Sequence, residues 1–155
     1  MIESAFTCTG PYAMLIFSGV KCVENRALMP IPSSGRCAIS VSRKFSCAEY
    51  GRFMDWALEK FGMAWCMSNL WDWEEVSTWR GCIVGAADYD AVQTMPKMGE
   101  LRVECEIWNE GYAAWWFLTK LRMFTHPIPC CGNVGMWQLN EDLRRRVELA
   151  DVERK

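Results

Sequence analysis

The apolar residues of this chain come in short, punctuated runs, and that limits the folds open to it. Ala113 to Leu118, the run that matters most for length, has six residues, against the ~20 a transmembrane helix needs. Gly, Pro and Ser clusters separate the runs, a pattern of short strands with a few helices between them. At 155 residues one domain buries roughly 68–70% of its unfolded surface and needs no staples. Hydrophobic residues make up 51% and charged ones 23%, which excludes a disordered tail. Met1 to Gly10 has no basic start followed by an apolar stretch. No signal peptide is read there, and a cytoplasmic location is expected.

Nine cysteines and nine tryptophans stand out. An odd number of thiols cannot all pair within the chain. There is no C-x-x-C, and His126 is the one histidine. A structural zinc site wants four Cys or His ligands in two close pairs, and the adjacent Cys130 and Cys131 suit that poorly. Buried, reduced thiols filling a core are therefore expected, with no metal and no cofactor.

The net charge of -2 argues against a strong non-specific nucleic-acid binder. Its distribution is uneven. Residues 1–52 carry six basic and three acidic side chains, and residues 53–155 carry eleven and sixteen. A basic surface on the N-terminal third can hold phosphates whatever the total charge. An ordinary mixed surface is the competing reading.

Thr9-Gly10-Pro11 starts a helix that runs to Ser18, with Pro11 at a position where its missing N–H costs nothing. Gly19 supplies a left-handed stop. Val20 to Arg26 is extended, with Cys22, Glu24 and Arg26 on one face and Lys21, Val23 and Asn25 on the other. Met29 to Gly35 reads as a loop and Cys37 to Val41 as a strand ending in Ser42. Ser46 and Glu49 form a capping box. Behind it Tyr50, Phe53, Met54, Ala57, Leu58 and Phe61 recur at helical spacing until Gly62. Met63 to Trp79 reads as irregular and Gly81 to Ala87 as a buried strand. A loop follows through Met95-Pro96-Lys97. Leu101 to Trp108 alternates as a half-exposed strand, and Tyr112 to Leu118 is a strand by its aromatic content. His126-Pro127-Ile128-Pro129 is expected to break that strand from a last one, Val134 to Leu139. Asn140 caps a closing helix. Together these give one α+β domain, a small β-barrel with helical decoration.

Gly10-Pro11-Tyr12-Ala13, followed by Ser18-Gly19-Val20-Lys21-Cys22-Val23-Glu24-Asn25-Arg26, resembles the ASCH domain family. Its members open with a Pro-Trp-Ala helix and a G-x-K-x-x-E-x-R signature. Three later blocks agree in order: Gly35 to Ser42, Gly81 to Gly85, and Pro127-Ile128-Pro129 through Gly132, Gly135, Met136 and Trp137. Tyr12 stands where tryptophan is common. The resemblance covers about 10–139 of a single domain 1–155, with 140–155 as a C-terminal helix. It implies a PUA-like β-barrel of about five to six mostly antiparallel strands, with helices inserted and at the C-terminus. It also implies a cleft beside the signature strand that serves RNA or modified-nucleotide binding, and in some relatives hydrolysis.

The residues of that cleft are Lys21, Glu24, Arg26, Tyr12 and Ser42. Arginine and lysine offer phosphate contacts, the arginine bidentately, and a carboxylate accepts from an amino group on a base edge. Alternation puts Glu24 and Arg26 together, and Lys21 joins them only if the Gly19 turn swings it across. The competing reading is a solvated ion pair worth ~0–1 kcal/mol. A strand-end serine such as Ser42 also commonly satisfies backbone amides. Lys21 is catalytic only in the hydrolase alternative, acetylcytidine amidohydrolase-like or RNA-cleaving. Relatives with the deacetylase activity carry Thr where this chain has Glu24, and a carboxylate there raises the lysine pKa and weakens it as a base. The third class is a protein-interaction module that docks through Trp71, Trp73 and Trp79. Trp115 and Trp116, as strand neighbours, face opposite sides, one into the core and the other towards the cleft.

Overall fold

The computed structural model describes residues 1–27, 30, 32–92 and 114–152. Along them run β1 (Ser4–Cys8), α1 (Gly10–Phe17), β2 (Val23–Arg26), β3 (Ser34–Val41), α2 (Cys47–Phe61), α3 (Met63–Asn69), α4 (Trp73–Ser77), β4 (Cys82–Val92), β5 (Ala114–Pro129), β6 (Met136–Gln138) and α5 (Glu141–Val152). The strands form one six-stranded sheet in the order β2-β5-β4-β3-β1-β6. Only β1 and β3 pair in parallel; the other neighbours are antiparallel. The expected α+β architecture, with six mostly antiparallel strands, is borne out.

The sheet curls strongly. Phe6 on β1 and Trp116 on β5 are three strands apart, roughly 14 Å on a flat sheet, yet their ring centroids meet at 5.8 Å. Arg26 on the edge strand β2 likewise donates from Nη2 to the Thr7 carbonyl on β1 at 2.8 Å. Side-chain alternation sorts the two faces. Phe6, Cys8, Cys37, Ile39, Val41, Tyr89 and Trp116 fill the concave core, plugged by Ala13, Met14 and Ile16 of α1. Ala5, Ala38, Ile83 and Ala86 face the other way, under Trp137 and Val147 of α5.

The helix signals read as expected at both ends of the chain. Ser46 and Glu49 make the reciprocal capping box of α2, and Asn140 Oδ1 accepts from Leu143 N–H at 2.9 Å. Elsewhere the structure differs. Residues 63–79 hold two short helices, the second capped by Asp72, whose Oδ1 accepts from Glu75 N–H at 2.9 Å. The His126 to Pro129 segment does not break β5, because Ile128 and Pro129 still pair with Ile83 and Cys82. Strand β2 covers only Ala114 to Phe117 on the other side of β5, so both prolines lie beyond that pairing, where a missing N–H breaks no ladder. β2 starts at Val23 and β6 spans only Met136–Gln138. The loop at Met95 to Lys97, the strand from Leu101 to Trp108, Tyr112, Ala113, Met29, Ile31 and Cys105 lie outside the described residues.

Cys8, Cys37, Cys66, Cys82 and Cys130 are free and buried, and burial pushes the thiols of Cys37 and Cys130 up to about 12 and 11. Cys22 is disulfide-bonded, which corrects the expectation of reduced thiols throughout. It stands half-exposed at the start of β2, and Cys47 and Cys131 are free but exposed, so the expectation of buried thiols holds for only some of them. Among the described residues no helix is long and apolar enough to cross a membrane.

Candidate functional site

A cleft of about 1230 Å³ opens on the concave side, where the curl brings the two sheet edges β2 and β6 towards each other. Thr7, Cys8, Glu24, Asn25, Arg26 and Trp116 line it from the strands. Tyr12 of α1 forms one wall. Ser42, Arg43 and Lys44, just past β3, form another, and the 131–135 loop closes the third side.

Glu24 and Arg26 come from one face of β2, as alternation requires, and bond at 2.8 Å between Oε1 and Nη2. The carboxylate is well buried, with 5% of Glu24 exposed. The guanidinium carbon lies over two aromatic rings that themselves meet edge to face, 5.3 Å from the Phe6 centroid and 5.6 Å from that of Trp116. Such stacking holds an arginine in one orientation. Two donors in the lining, Arg26 Nε and Trp116 Nε1, are buried and have no hydrogen-bond partner among the described residues. A buried orphan donor costs on the order of 1–3 kcal/mol, and both atoms are closed off from solvent.

Lys21 reaches this neighbourhood through the turn after α1. Gly19 has φ +79°, which L side chains avoid, and the Lys21 N–H donates back to the Leu15 carbonyl at 2.9 Å. The side chain is 1% exposed, with Nζ 5.0 Å from the Tyr12 ring centroid. Lys21 therefore lies beneath Tyr12 and does not itself line the cleft. Its charge is nevertheless felt at the centre. Burial pushes the Cys8 thiol far up and Glu24 adds to that, while Arg26 and Lys21 pull it back.

Ser42 donates its N–H to the Cys8 carbonyl at 2.9 Å, and its Oγ accepts from Lys44 N–H at 3.2 Å. It lines the cleft while shaping the turn that presents Arg43 and Lys44. Among the lining residues Glu24 is the one acid, against Arg26, Arg43 and Lys44. The structure therefore brings Tyr12, Glu24, Arg26 and Ser42 into one cleft, with Lys21 behind them.

Cys8, Arg43, Lys44 and the 131–135 loop were not legible as site residues from motif spacing. The excess of basic side chains in residues 1–52 was the available signal for Arg43 and Lys44. Trp115 and Trp116 alternate as expected, but both are buried. Trp115 packs with Val23, and Trp116 serves the core and the cleft at once. Trp79 is 1% exposed and packs edge-on against Trp71, centroids 5.3 Å apart. It therefore cannot belong to a docking surface, because the curl places it in the main core. Trp71 and Trp73 are half-buried, the latter against Phe45 and Tyr50.

No protein-family model matches this sequence and no curated protein is similar to it. Solved structures are similar. The ASCH protein from Zymomonas mobilis superposes with a TM-score of 0.53 at 16% identity, over 95% of this chain and 94% of that one. A tyrosine-to-phenylalanine mutant of that protein gives 0.54 at 15% identity, over 96% and 98%. A serine-to-alanine mutant gives 0.54 at 15%, over 95% and 94%. The likeness is one of fold, and it is the fold that the sequence motifs resemble.

Proposed function

We propose that this ASCH-fold chain binds RNA or a modified nucleotide in the cleft beside β2, with Tyr12, Glu24, Arg26 and Ser42 as ligand contacts and Lys21 as the support beneath them. One observation carries the reading. A buried ion pair, Glu24–Arg26, is set in the lining of a large open cleft, where a packing role would be filled better by apolar side chains. Glu24 offers an acceptor to a base amino group, and Arg26 and Trp116 offer buried N–H donors to a base carbonyl or phosphate oxygen. Lys21 is enclosed under the Tyr12 ring and does not line the cleft, whereas a catalytic base has to come within hydrogen-bond reach of its substrate. That favours binding over the hydrolase alternative.

The test is fluorescence anisotropy with a labelled single-stranded RNA of mixed sequence. The parent protein binds, and Arg26→Gln weakens binding at least tenfold while circular dichroism reports an intact fold. A parent that leaves the RNA free, or an equal Kd for a folded Arg26→Gln protein, overturns the reading.

A further inference from the structure

Two cations of the cleft lining, Arg43 and Lys44, stand at one rim beside a third, Arg80, just outside that lining. Arg43 and Lys44 follow β3, and Arg80 sits in the turn before β4, bridged to the end of β3. All three are exposed. Arg80 donates from Nε and Nη2 to the Arg43 carbonyl at 3.2 and 3.1 Å. Arg43 Nη2 in turn donates to the Cys130 carbonyl at 3.2 Å. Gly81 makes room for this arrangement. A Cβ there would stand 2.5 Å from Arg43 Cγ and Nε, and the backbone has φ +70°. The Arg43 side chain is therefore laid over the Gly81 backbone.

Neutral carbonyls thus hold the two guanidinium groups. Among the described residues, no carboxylate forms an ion pair with Arg43, Lys44 or Arg80. The half-buried Arg36 is bridged by Asp88 and Asp151 and the exposed Lys120 by Asp88; what sets Arg43, Lys44 and Arg80 apart is that three such cations stand side by side next to the cleft. Holding like charges together without counter-charge is unfavourable in the free protein and favourable only towards an anion. A free nucleoside carries no anion to meet them, whereas a strand carries one phosphate per nucleotide.

We propose that the ligand is a nucleic-acid strand rather than a free nucleoside, with the phosphates flanking the recognised nucleotide seated on Arg43, Lys44 and Arg80. This rests on the cleft reading above and names the class of ligand it takes. The Glu24–Arg26 pair reads one nucleotide, and the rim follows the backbone on the Ser42 side.

The triple variant Arg43→Gln, Lys44→Gln, Arg80→Gln tests it against the same labelled RNA across a salt series, beside the parent and Arg26→Gln. Three phosphate contacts on a single strand carry a log–log salt slope of about 2, which corresponds to roughly 50-fold weaker binding near 0.15 M salt. The expected result is that loss, with a shallower slope and a gap that closes as salt approaches 1 M. Arg43 and Arg80 also hold backbone carbonyls, so an unchanged melting transition is required of the triple variant. Lys44→Gln alone, expected to lose about one third of that salt slope, is measured beside it. A folded Lys44→Gln protein with the parental Kd and slope also counts against the rim. If the folded triple variant keeps the parental Kd and slope while Arg26→Gln loses binding, the rim proposal falls and the cleft reading stands. If the triple variant loses binding and Arg26→Gln does not, the rim stands and the cleft assignment falls. Unlabelled mixed nucleosides supply the remaining arm: competition at concentrations equal to those of an unlabelled strand overturns the preference for a strand.

Discussion

Arg26 does three things at once. It neutralises a buried carboxylate, donates to a backbone carbonyl on a distant strand, and packs against two aromatic rings. Removing one partner of a buried pair leaves the other charged and unpaired, which costs about 3–5 kcal/mol, while replacing both costs much less. Arg26 keeps some solvent access, 18% of its side chain, so about 3 kcal/mol is the expected loss for Arg26→Gln. The double variant Glu24→Gln, Arg26→Gln is expected to be more stable than Arg26→Gln alone. Urea denaturation measures both, and a double variant weaker than the single one refutes the buried-charge argument. Trp116 makes a separate prediction. Its indole N–H has no partner among the described residues, so Trp116→Phe forfeits packing volume but no hydrogen bond described there, and a stability change within about 1.5 kcal/mol is expected. RNA affinity falls severalfold if the N–H serves the ligand. At this scale the sequence was informative wherever period-2 alternation governs, as for Glu24 with Arg26 and Trp115 against Trp116. It was silent on Lys21, whose position depends on a turn with positive φ at Gly19 and on the ring of Tyr12 above it.

Helix α5 shows how an element far from the cleft is held. Its Asp151 receives Arg36 from β3 in two hydrogen bonds, at 2.6 and 2.8 Å, while Arg36 also reaches Asp88 on β4 at 2.8 Å. Asp151 and Asp88 together raise the guanidinium pKa against the cost of partial burial. Burial alone would raise the Asp88 carboxyl, but hydrogen bonds from Lys120 and Arg36 outweigh it and hold the group below its ordinary value of 3.8. A carboxylate depressed in the folded state stabilises above its unfolded pKa, and that contribution is lost as pH falls through the folded value. Acid titration followed by circular dichroism should therefore show stability falling below about pH 3.8, with a flatter acid limb in Asp88→Asn. An identical limb removes Asp88 from the account. The α2 capping box is simpler: Ser46→Ala is expected to cost about 1 kcal/mol. Both caps of the long helices were legible because Ser46, Glu49 and Asn140 act within three residues of themselves. Helices α3 and α4 were not, since α3 starts on Gly62 with no side-chain cap and the Asp72 cap serves only five residues. The prolines at 127 and 129 misled for a different reason: their effect depends on which edge of β5 is paired, and that is a property of the sheet.

For the whole molecule, the curl decides most of what the sequence could not. Strand composition announces a barrel-like sheet, but not that β2 is an edge strand or that its Arg26 meets the Thr7 carbonyl. The charge excess in residues 1–52 was visible, yet its focus at the cleft depends on Arg80 arriving from the other half of the chain. The cleft also has a mechanical side. Its walls include β2 and β6, the outermost strands of the sheet among the described residues, and the curl is held by the Arg26–Thr7 bond from β2 to β1 and by the packing of Phe6 of β1 on Trp116 of β5. Its aperture is thus set by the bending of the sheet, and those two contacts act as a clasp. A strand bound there would grip both margins, and breathing of the barrel would be coupled to its release.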